Sequence, residues 1–412
     1  MSLAALPQPS PNPRKISRTD AAFWRVTGAF FFGGFATFAL LYSVQPLMPE
    51  FAREFAVSPA LASLSLSAST LVLAVAMMGA GAVADVFGRK LVMAASLAAT
   101  ALATMLAALA PDWPTLLALR ALAGLALAGL PAVAMAYLGD EMDAQAIGLA
   151  MGLYIAGSTL GGMAGRLVVA ALSDHFGWRI AIAAVGAVGF VGAALIAAAL
   201  PPSRKISPRR PDFGDLAASL IGQFSDPGLR LLFAEGFLLL GSFVCAYNYI
   251  GFRLMAAPFS LSQTTIGFVF VLYLVGAVSS MVMGDLAGRY GRRRVMWIAI
   301  AIEAAGVAVT MPDDIVAVVA GVALITWGFF GAHSIASSWV GLRAPGARPQ
   351  AAALYLFFYY IGSSLVGWAG GVFFARDGWS GVVALLVSLA AVGLVVALRL
   401  SKIPPPRHLA GP

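Results

Sequence analysis

The sequence predicts an all-α membrane protein of twelve transmembrane helices in two pseudo-symmetric six-helix bundles, and three observations carry that prediction. Of its 412 residues 60% are hydrophobic and only 11% charged, where a soluble domain has about a quarter charged; mean hydropathy is +0.89. Apolar runs of about 20 residues, enough to cross roughly 30 Å of hydrocarbon, recur twelve times. Finally, "GAVADVFGRKLVM" at 81–93 returns as "GDLAGRYGRRRVM" at 284–296, with six of thirteen positions unchanged.

The elements follow in order. Residues 1–21 are Pro-rich and polar with no apolar core, which reads as a soluble tail and neither a signal peptide nor a structured segment. Spans are expected at 26–48, 62–84, 91–110, 114–138, 146–172 and 179–199, inside a bundle covering 22–200. The one long polar interval, 201–229, reads as a linker loop. Spans at 230–254, 265–287, 294–311, 315–340, 351–375 and 380–400 form a second bundle, 230–401, with a tail at 402–412. No ten-residue alternation of the kind a membrane barrel needs recurs, so the spans are helices.

Charge sets the expected topology. Of 26 Lys and Arg, 20 fall in the tails and the even-numbered turns, whereas Arg53, Arg179, Arg253 and Arg376 fall on the other side. That bias places both termini and the linker in the cytoplasm, so the net charge of +8 is a topology signal and not a nucleic-acid one. Trp113, Trp178 and Trp379 at one side and Trp24 and Trp297 at the other suit interfacial belts. Cys245 lies inside a span and, being alone, forms no intramolecular disulfide.

The halves repeat further: "YIAGSTLGG" at 154–162 parallels "YYIGSSLVG" at 359–367, and "FGW" at 176–178 parallels "DGW" at 377–379. With six helices each, the repeats are parallel and related by an axis along the membrane normal. In the first basic turn Gly88 suits a tight turn, Gly81 close packing, and Arg89 and Lys90 an anchor. Asp85 stands at the unfavourable end of a helix dipole and needs a partner; the second copy has Gly284, Gly291, Arg292 and Arg293 but Gly288 in place of the acid.

This pattern resembles the major facilitator superfamily of secondary transporters across nearly the whole chain. Gly81, Asp85, Gly88, Arg89 and Lys90 complete its G-x-x-x-D-x-x-G-R-K/R signature. Within it, "LYSVQPLMPEFAREFAVS" at 41–58, "YNYIGFRLM" at 247–255 and "GSSLVG" at 362–367 resemble the drug:proton antiporter branch and its YnfM-type and arabinose-efflux-like inner-membrane group. The resemblance implies a major facilitator fold in a bacterial inner membrane. It implies that Asp85 latches the two halves on the cytoplasmic side in the outward-open state; a local Asp–Arg bridge is the alternative. It also links Arg120, in "LRALAG" at 119–124, to proton coupling. The helix-5 glycines Gly157, Gly161 and Gly162 match the antiporter motif G-P-x-x-G-G, but Ser158 stands where that motif has proline.

Ionisable groups inside spans are functional candidates, because each costs on the order of 3 kcal/mol or more at the helix centre. Arg120 and Arg166 lie at similar depth without counterparts in the second half, where Gly371 takes Arg166's place. Such a pair suits a carboxylate, phosphate or sugar, or snorkels to the interface. Glu235 near a helix end, Glu303 near mid-membrane and His333 are candidate proton carriers, with exposure to interfacial water the alternative for Glu235; the resemblance implies that helix 9 is peripheral, so that Glu303 packs against a neighbour, and that helix 10, with His333, lines the cavity. Tyr42, Gln45, Tyr247, Asn248, Tyr249, Tyr355, Tyr359 and Tyr360 offer stacking and hydrogen bonds to a solute, or core packing.

The expected activity is proton-coupled export of a small organic solute by alternating access. The alternative is a proton symporter that imports an anionic metabolite. The chain carries no P-loop and no acid, histidine or nucleophile cluster, which argues against an ATP-driven pump and an enzyme. The expected partners are a small solute, protons and the bilayer, with no nucleic acid, no metal and no cofactor beyond the proton gradient, in a monomer.

Overall fold

The computed structural model describes residues 15–201 and 213–404, and the described residues are helical, joined by short turns, with a single isolated β-bridge between Ile16 and Met142. Twelve crossings result. They are α1 (Ala21–Glu54), α2 (Pro59–Phe87), α3 (Arg89–Ala107), α4 (Trp113–Glu141), α5 (Ile147–Phe176), α6 (Trp178–Ala199), α7 (Pro227–Met255), α8 (Gln263–Tyr290), α9 (Arg292–Val309) and α10 (Ile315–Arg343), then α11 and α12. The last two are a continuous helical run, Arg348–Lys402, folded back at Gly378. Its 55 residues would extend roughly 80 Å if straight, far beyond a bilayer. Gly378 makes the reversal with φ 63° and ψ −145°, a conformation open essentially to glycine. Gly88 and Gly291, at φ 91° and 92°, turn the two basic loops in the same way.

Three of the crossings are interrupted: α1, α4 at Ala128, and α8 by a 3₁₀ turn at Phe268–Leu272. In α1 the α-helix stops at Tyr42, passes through a 3₁₀ turn at Gln45–Leu47, and resumes at Met48–Glu54. Pro46 and Pro49 lack the N–H groups that would continue the ladder. The linker holds a short helix, Phe213–Gly222. The expected 1–21 tail needs correction over its last residues: the backbone N–H of Ile16 donates to Glu141 and Ile16 accepts from Asp143 N–H, with the Ile16 side chain buried. The apolar Ile16 finds its cover at the end of α4. Residues 1–14, 202–212 and 405–412, with most of the linker's basic charge, lie outside the described residues.

The helices form two bundles, α1–α6 and α7–α12, and small residues set the closest approaches within each. A Cβ at Gly157 or Gly161 would overlap the backbone of Phe31 or Phe35 in α1, and one at Gly165 would lie 2.7 Å from Ala39 Cα. Gly362 stands in the same relation to Phe237 in α7. In lipid, where apolar surface gains nothing by pairing with apolar surface, backbone approach of this kind supplies the packing.

The bundles meet along the side opposite the chain ends, here the far side; the side bearing the ends is the terminal side. On the far side α2 lies against α11 and α5 against α8, Gly371 touching the Ala60 backbone and Gly267 touching Ala170. On the terminal side Gly79 and Gly81 in α2, Gly148 and Gly152 in α5, and Gly284 and Gly288 in α8 face nothing within 4 Å. The close packing expected of Gly81 is therefore absent in this state, because the terminal halves are parted. Trp178 and Trp379 also depart from the interfacial belt: both are buried, Trp178 donating to Glu54 and Trp379 to Thr310 Oγ1 at 3.0 Å. Trp24 and Trp297 are exposed. The packing of α5 on α1 yields a paired test. Gly161→Val should lower stability by about 1–3 kcal/mol, the scale of an overpacked interior, while Gly148→Val should leave it near wild type in thermal unfolding of the detergent-solubilised protein.

Candidate functional site

The break in α1 exposes carbonyls that an unbroken helix would use, and a membrane offers no water to satisfy them. Arg120 of α4 answers that need. Its Nε donates to Ser65 O at 3.0 Å, Nη1 to Leu40 O at 3.3 Å and Nη2 to Leu41 O at 2.7 Å, and its own carbonyl accepts from Ser69 Oγ at 2.7 Å. Only 1% of Arg120 is exposed. Arg120, expected to bind solute or to couple protons, has its guanidinium bonded in this structure to backbone carbonyls at the break in α1.

Arg166 reaches the same break from α5 and is the cation of the site. Nε donates to Gln45 Oε1 at 2.6 Å and Nη1 to Gly162 O at 2.7 Å, while Nη2 makes no hydrogen bond among the described residues. Its guanidinium carbon stands 4.0 Å above the Tyr42 ring, 4.8 Å from the Tyr273 ring and 5.2 Å from the Phe270 ring. Neither arginine snorkels. Among the described residues no carboxylate pairs with Arg120 or Arg166, although seven ion pairs form elsewhere.

Gln45 links Arg166 to the second bundle. Gln45 Nε2 donates to Asn248 Oδ1 of α7 at 2.7 Å, leaving the buried Asn248 Nδ2 without a partner among the described residues. Around this seam Thr70 and Ser364 hydroxyls meet at 2.7 Å, Ser364 Oγ donates to Ser67 O at 3.1 Å, and Gln263 Nε2 donates to Pro46 O at 2.8 Å. Asp174 of α5 accepts both the N–H and the hydroxyl of Thr264 at 2.6 Å, capping α8 across the interface. These bonds close the site on the far side.

The second bundle contributes an aromatic wall. Phe243 stacks on Phe329 with centroids 4.0 Å apart, Tyr247 stacks on Phe270 at 5.6 Å, and the Tyr247 hydroxyl meets Thr326 Oγ1 at 2.8 Å. Toward the terminal side His333 lies 4.7 Å from the Tyr359 ring, and its Nδ1 meets the Tyr355 hydroxyl at 2.9 Å. Tyr359 and His333 are half-buried, Tyr355 and Tyr360 buried. Arg166 thus faces rings from both bundles, with donors from Gln45 and Asn248 beside it.

The structure separates residues that the sequence groups. Tyr247, Asn248 and Tyr249 are consecutive, and at about 100° per residue they cannot share one face. Tyr249 is corrected to a packing residue: its hydroxyl donates to Gly367 O at 2.6 Å and its ring stacks on Phe374. Glu235 is fully buried, contrary to the expected contact with interfacial water, because α9 and α12 cover that face of α7. Glu303, read as a proton carrier or as packing against a neighbour, shares a small cavity with Glu235. Asp85 pairs with Arg89 at 3.6 Å inside its own turn, and Arg89 reaches Asp140 at 2.5 Å. In the second turn Asp285 pairs with Arg289 at 2.8 Å and Arg293 donates to Ile403 O at 2.5 Å; Lys90 and Arg292 remain at the surface edge.

Phe243, Phe270, Tyr273, Thr326 and Phe329 were missed from sequence. Tyr273 and Thr326 carried a signal as polar groups inside apolar spans, while the phenylalanines had none in a chain with 26 of them.

Comparison with known proteins agrees with this architecture. Residues 30–257 and 236–411 each match the Major Facilitator Superfamily. The chain is 45% identical over 386 residues to the uncharacterized MFS-type transporter YybF of Bacillus subtilis, covering 94% of this chain and 95% of that one. It is 43% identical over 387 residues to the inner membrane transport protein YnfM of Escherichia coli, covering 94% and 93%. The fold superimposes on a bacterial homologue of the human lysosomal transporter Spinster, solved in an inward-facing and unoccupied conformation, with TM-score 0.76 at 16% identity over 94% of this chain and 100% of that one.

The Gln45–Asn248 bond is the hydrogen bond nearest the site that joins the two bundles. Losing about 1.4 kcal/mol, within the range for one buried hydrogen bond, changes a two-state ratio tenfold. Gln45→Ala and Asn248→Ala should therefore populate a form with a wider far side. Spin-label distances between cysteines placed at Pro111 and Met311 report it, since Cys245 is buried and escapes labelling.

Proposed function

The chain belongs to the Major Facilitator Superfamily, and on that premise we propose that it exports a small organic solute, neutral or anionic, in exchange for protons, as a member of the drug:proton antiporter branch. That it is a multi-pass membrane transporter and not an enzyme follows from the family and from its transporter relatives. The observation that carries the substrate reading is Arg166, a buried guanidinium ringed by Tyr42, Phe270 and Tyr273 with no carboxylate partner among the described residues. A buried cation without an acid favours an anion or a dense set of acceptors. The surrounding rings favour a planar or aromatic body. A cationic solute would meet repulsion here.

The remaining parts of the proposal concern the setting. The protein works as a monomer in a bacterial inner membrane, with no cofactor beyond the proton gradient. Both termini and the 201–229 segment face the cytoplasm, so the terminal side is cytoplasmic and the described state is open inward. Residues 22–200 and 230–401 act as the two moving units. Export is supported by the glycine motif of α5, Gly157, Gly161 and Gly162, seated on α1. The anion-accepting character of Arg166 equally suits a proton symporter importing an anionic metabolite, and the sign of flux separates the two.

Two measurements test the reading. A thermal-stability screen over aromatic carboxylates, sugars and cationic dyes should give its largest shifts with the carboxylates, since a bound ligand stabilises in proportion to occupancy. Arg166→Lys keeps the charge but loses the planar fork, and should weaken the best ligand by tenfold or more. The same ligand should be driven against its gradient when protons flow the opposite way across vesicles; flux in the direction of proton flow would favour the symporter. Asp85 is proposed as the latch of the opposite, outward-open state, so Asp85→Asn should deplete that state in the Pro111–Met311 distance distribution without loss of folding. Unchanged distributions would leave Asp85 a local bridge to Arg89.

A further inference from the structure

Away from the Arg166 site, the second bundle buries two carboxyl groups against each other. Glu235 of α7 and Glu303 of α9 are 0% and 3% exposed, and both line one cavity of about 10 Å³, closed by Leu238, Leu239, Ser242, Ile300, Leu389, Ala390 and Gly393. Both oxygens of Glu235 and Oε1 of Glu303 have no hydrogen-bond partner among the described residues. No arginine, lysine or histidine forms an ion pair with either acid among the described residues. From α12 only Leu389, Ala390 and Gly393 face the pair. From α11 the nearest titratable group is Tyr355, whose ring packs on Gly236 beside Glu235 and whose hydroxyl meets His333 of α10.

Two ionised carboxylates in such a place are untenable. A desolvated, unpaired charge costs several kcal/mol, and a second like charge adds to it. Groups so placed neutralise. The cavity is at the lower limit for a single water and far too small for an organic solute. The ligand with the right charge and size is the proton.

We propose that Glu235 and Glu303 form a proton-binding site inside the second bundle, separate from the solute site, occupied in the state described here. Each carboxylate takes one proton from water to become a carboxylic acid, so no other reactant is needed. Tyr355, packed on Gly236 beside Glu235, bonds His333, which lies against the Phe329 and Tyr359 rings. The site stands whatever the solute; its part in driving transport rests on the proton-coupled reading above.

Infrared spectroscopy of the full-length protein in liposomes tests the site without any solute. At neutral pH the wild type should show a carboxylic-acid C=O band that shifts in D₂O. Glu235→Gln and Glu303→Gln, which imitate the protonated acids in shape, should fold and each remove a component of that band, and the double variant should remove both. A band unchanged in the double variant would overturn the proposal, as would loss of the wild-type band on adding sodium at constant pH, which would make the pair a metal-cation site. The wild-type titration needs no variant to fold: a band already absent at neutral pH is equally fatal. If the site also drives transport, both single variants should lose proton-driven accumulation while retaining solute counterflow; intact accumulation with a lost band would keep the proton site and remove its coupling role.

Discussion

The unsatisfied end of a broken membrane helix governs much of this structure. Where α1 gives up its ladder near Tyr42, the Leu41 carbonyl would be orphaned in hydrocarbon, at a cost of several kcal/mol, and the Leu40 carbonyl left to the Ser43 hydroxyl. Arg120 removes that cost by donating to both, and its Nε continues to Ser65 in α2. One side chain therefore sets the end of α1 and fixes α2 and α4 around it. With the break stabilised, Tyr42 and Gln45 are left projecting where a straight helix would present only packing surface. Arg166 can then meet them.

The distribution of small residues explains how the same molecule holds firmly within each bundle and loosely between them. Gly157, Gly161 and Gly165 bring α5 onto α1, and Gly362 brings α11 onto α7, by backbone contact that tolerates no added carbon. Across the interface the far-side contacts combine glycine approaches at Gly371 and Gly267 with hydroxyl and amide bonds, among them Thr70–Ser364 and Gln45–Asn248. Each such bond is worth about 1 kcal/mol net. A seam of separable bonds between units of rigid packing is the physical requirement for two units to rock against each other.

Much of the fold was legible because membrane burial leaves a coarse signature of length and apolarity. Each of the twelve expected spans overlaps an observed crossing, with 91–110 and 294–311 running two or three residues past the helix end. What escaped was local. The merging of α11 and α12 around Gly378 depends on one glycine's dihedral angles, and the docking of Ile16 on a contact with α4. For the site, polar residues stand out in apolar spans of the sequence, but their partners could not be read. Arg120 and Arg166 look alike in sequence, and only the position of the α1 break tells the cap from the site cation. Glu235 and Glu303 stand 68 residues apart in sequence, and nothing but the packing of α7 on α9 brings them to one cavity.

The placement of charge has a further consequence. The first bundle holds a buried cation without an acid, and the second holds two buried acids without a base. Paired directly, Arg166 and a glutamate would neutralise each other and leave little field for a solute or a proton. Separation keeps both unmet, and α7 spans the gap. It carries Asn248, bonded to Gln45 beside Arg166, and thirteen residues earlier Glu235, roughly 20 Å apart along one axis. Unlike α1, α7 is unbroken from Pro227 to Met255. A rearrangement that breaks the Gln45–Asn248 bond moves α7 as a rod, and with it the wall of the cavity that encloses both acids. In the proposed reading the interrupted helix makes the solute site and the uninterrupted one provides a physical connection to the carboxyl pair, so that pseudo-symmetric halves do unlike work.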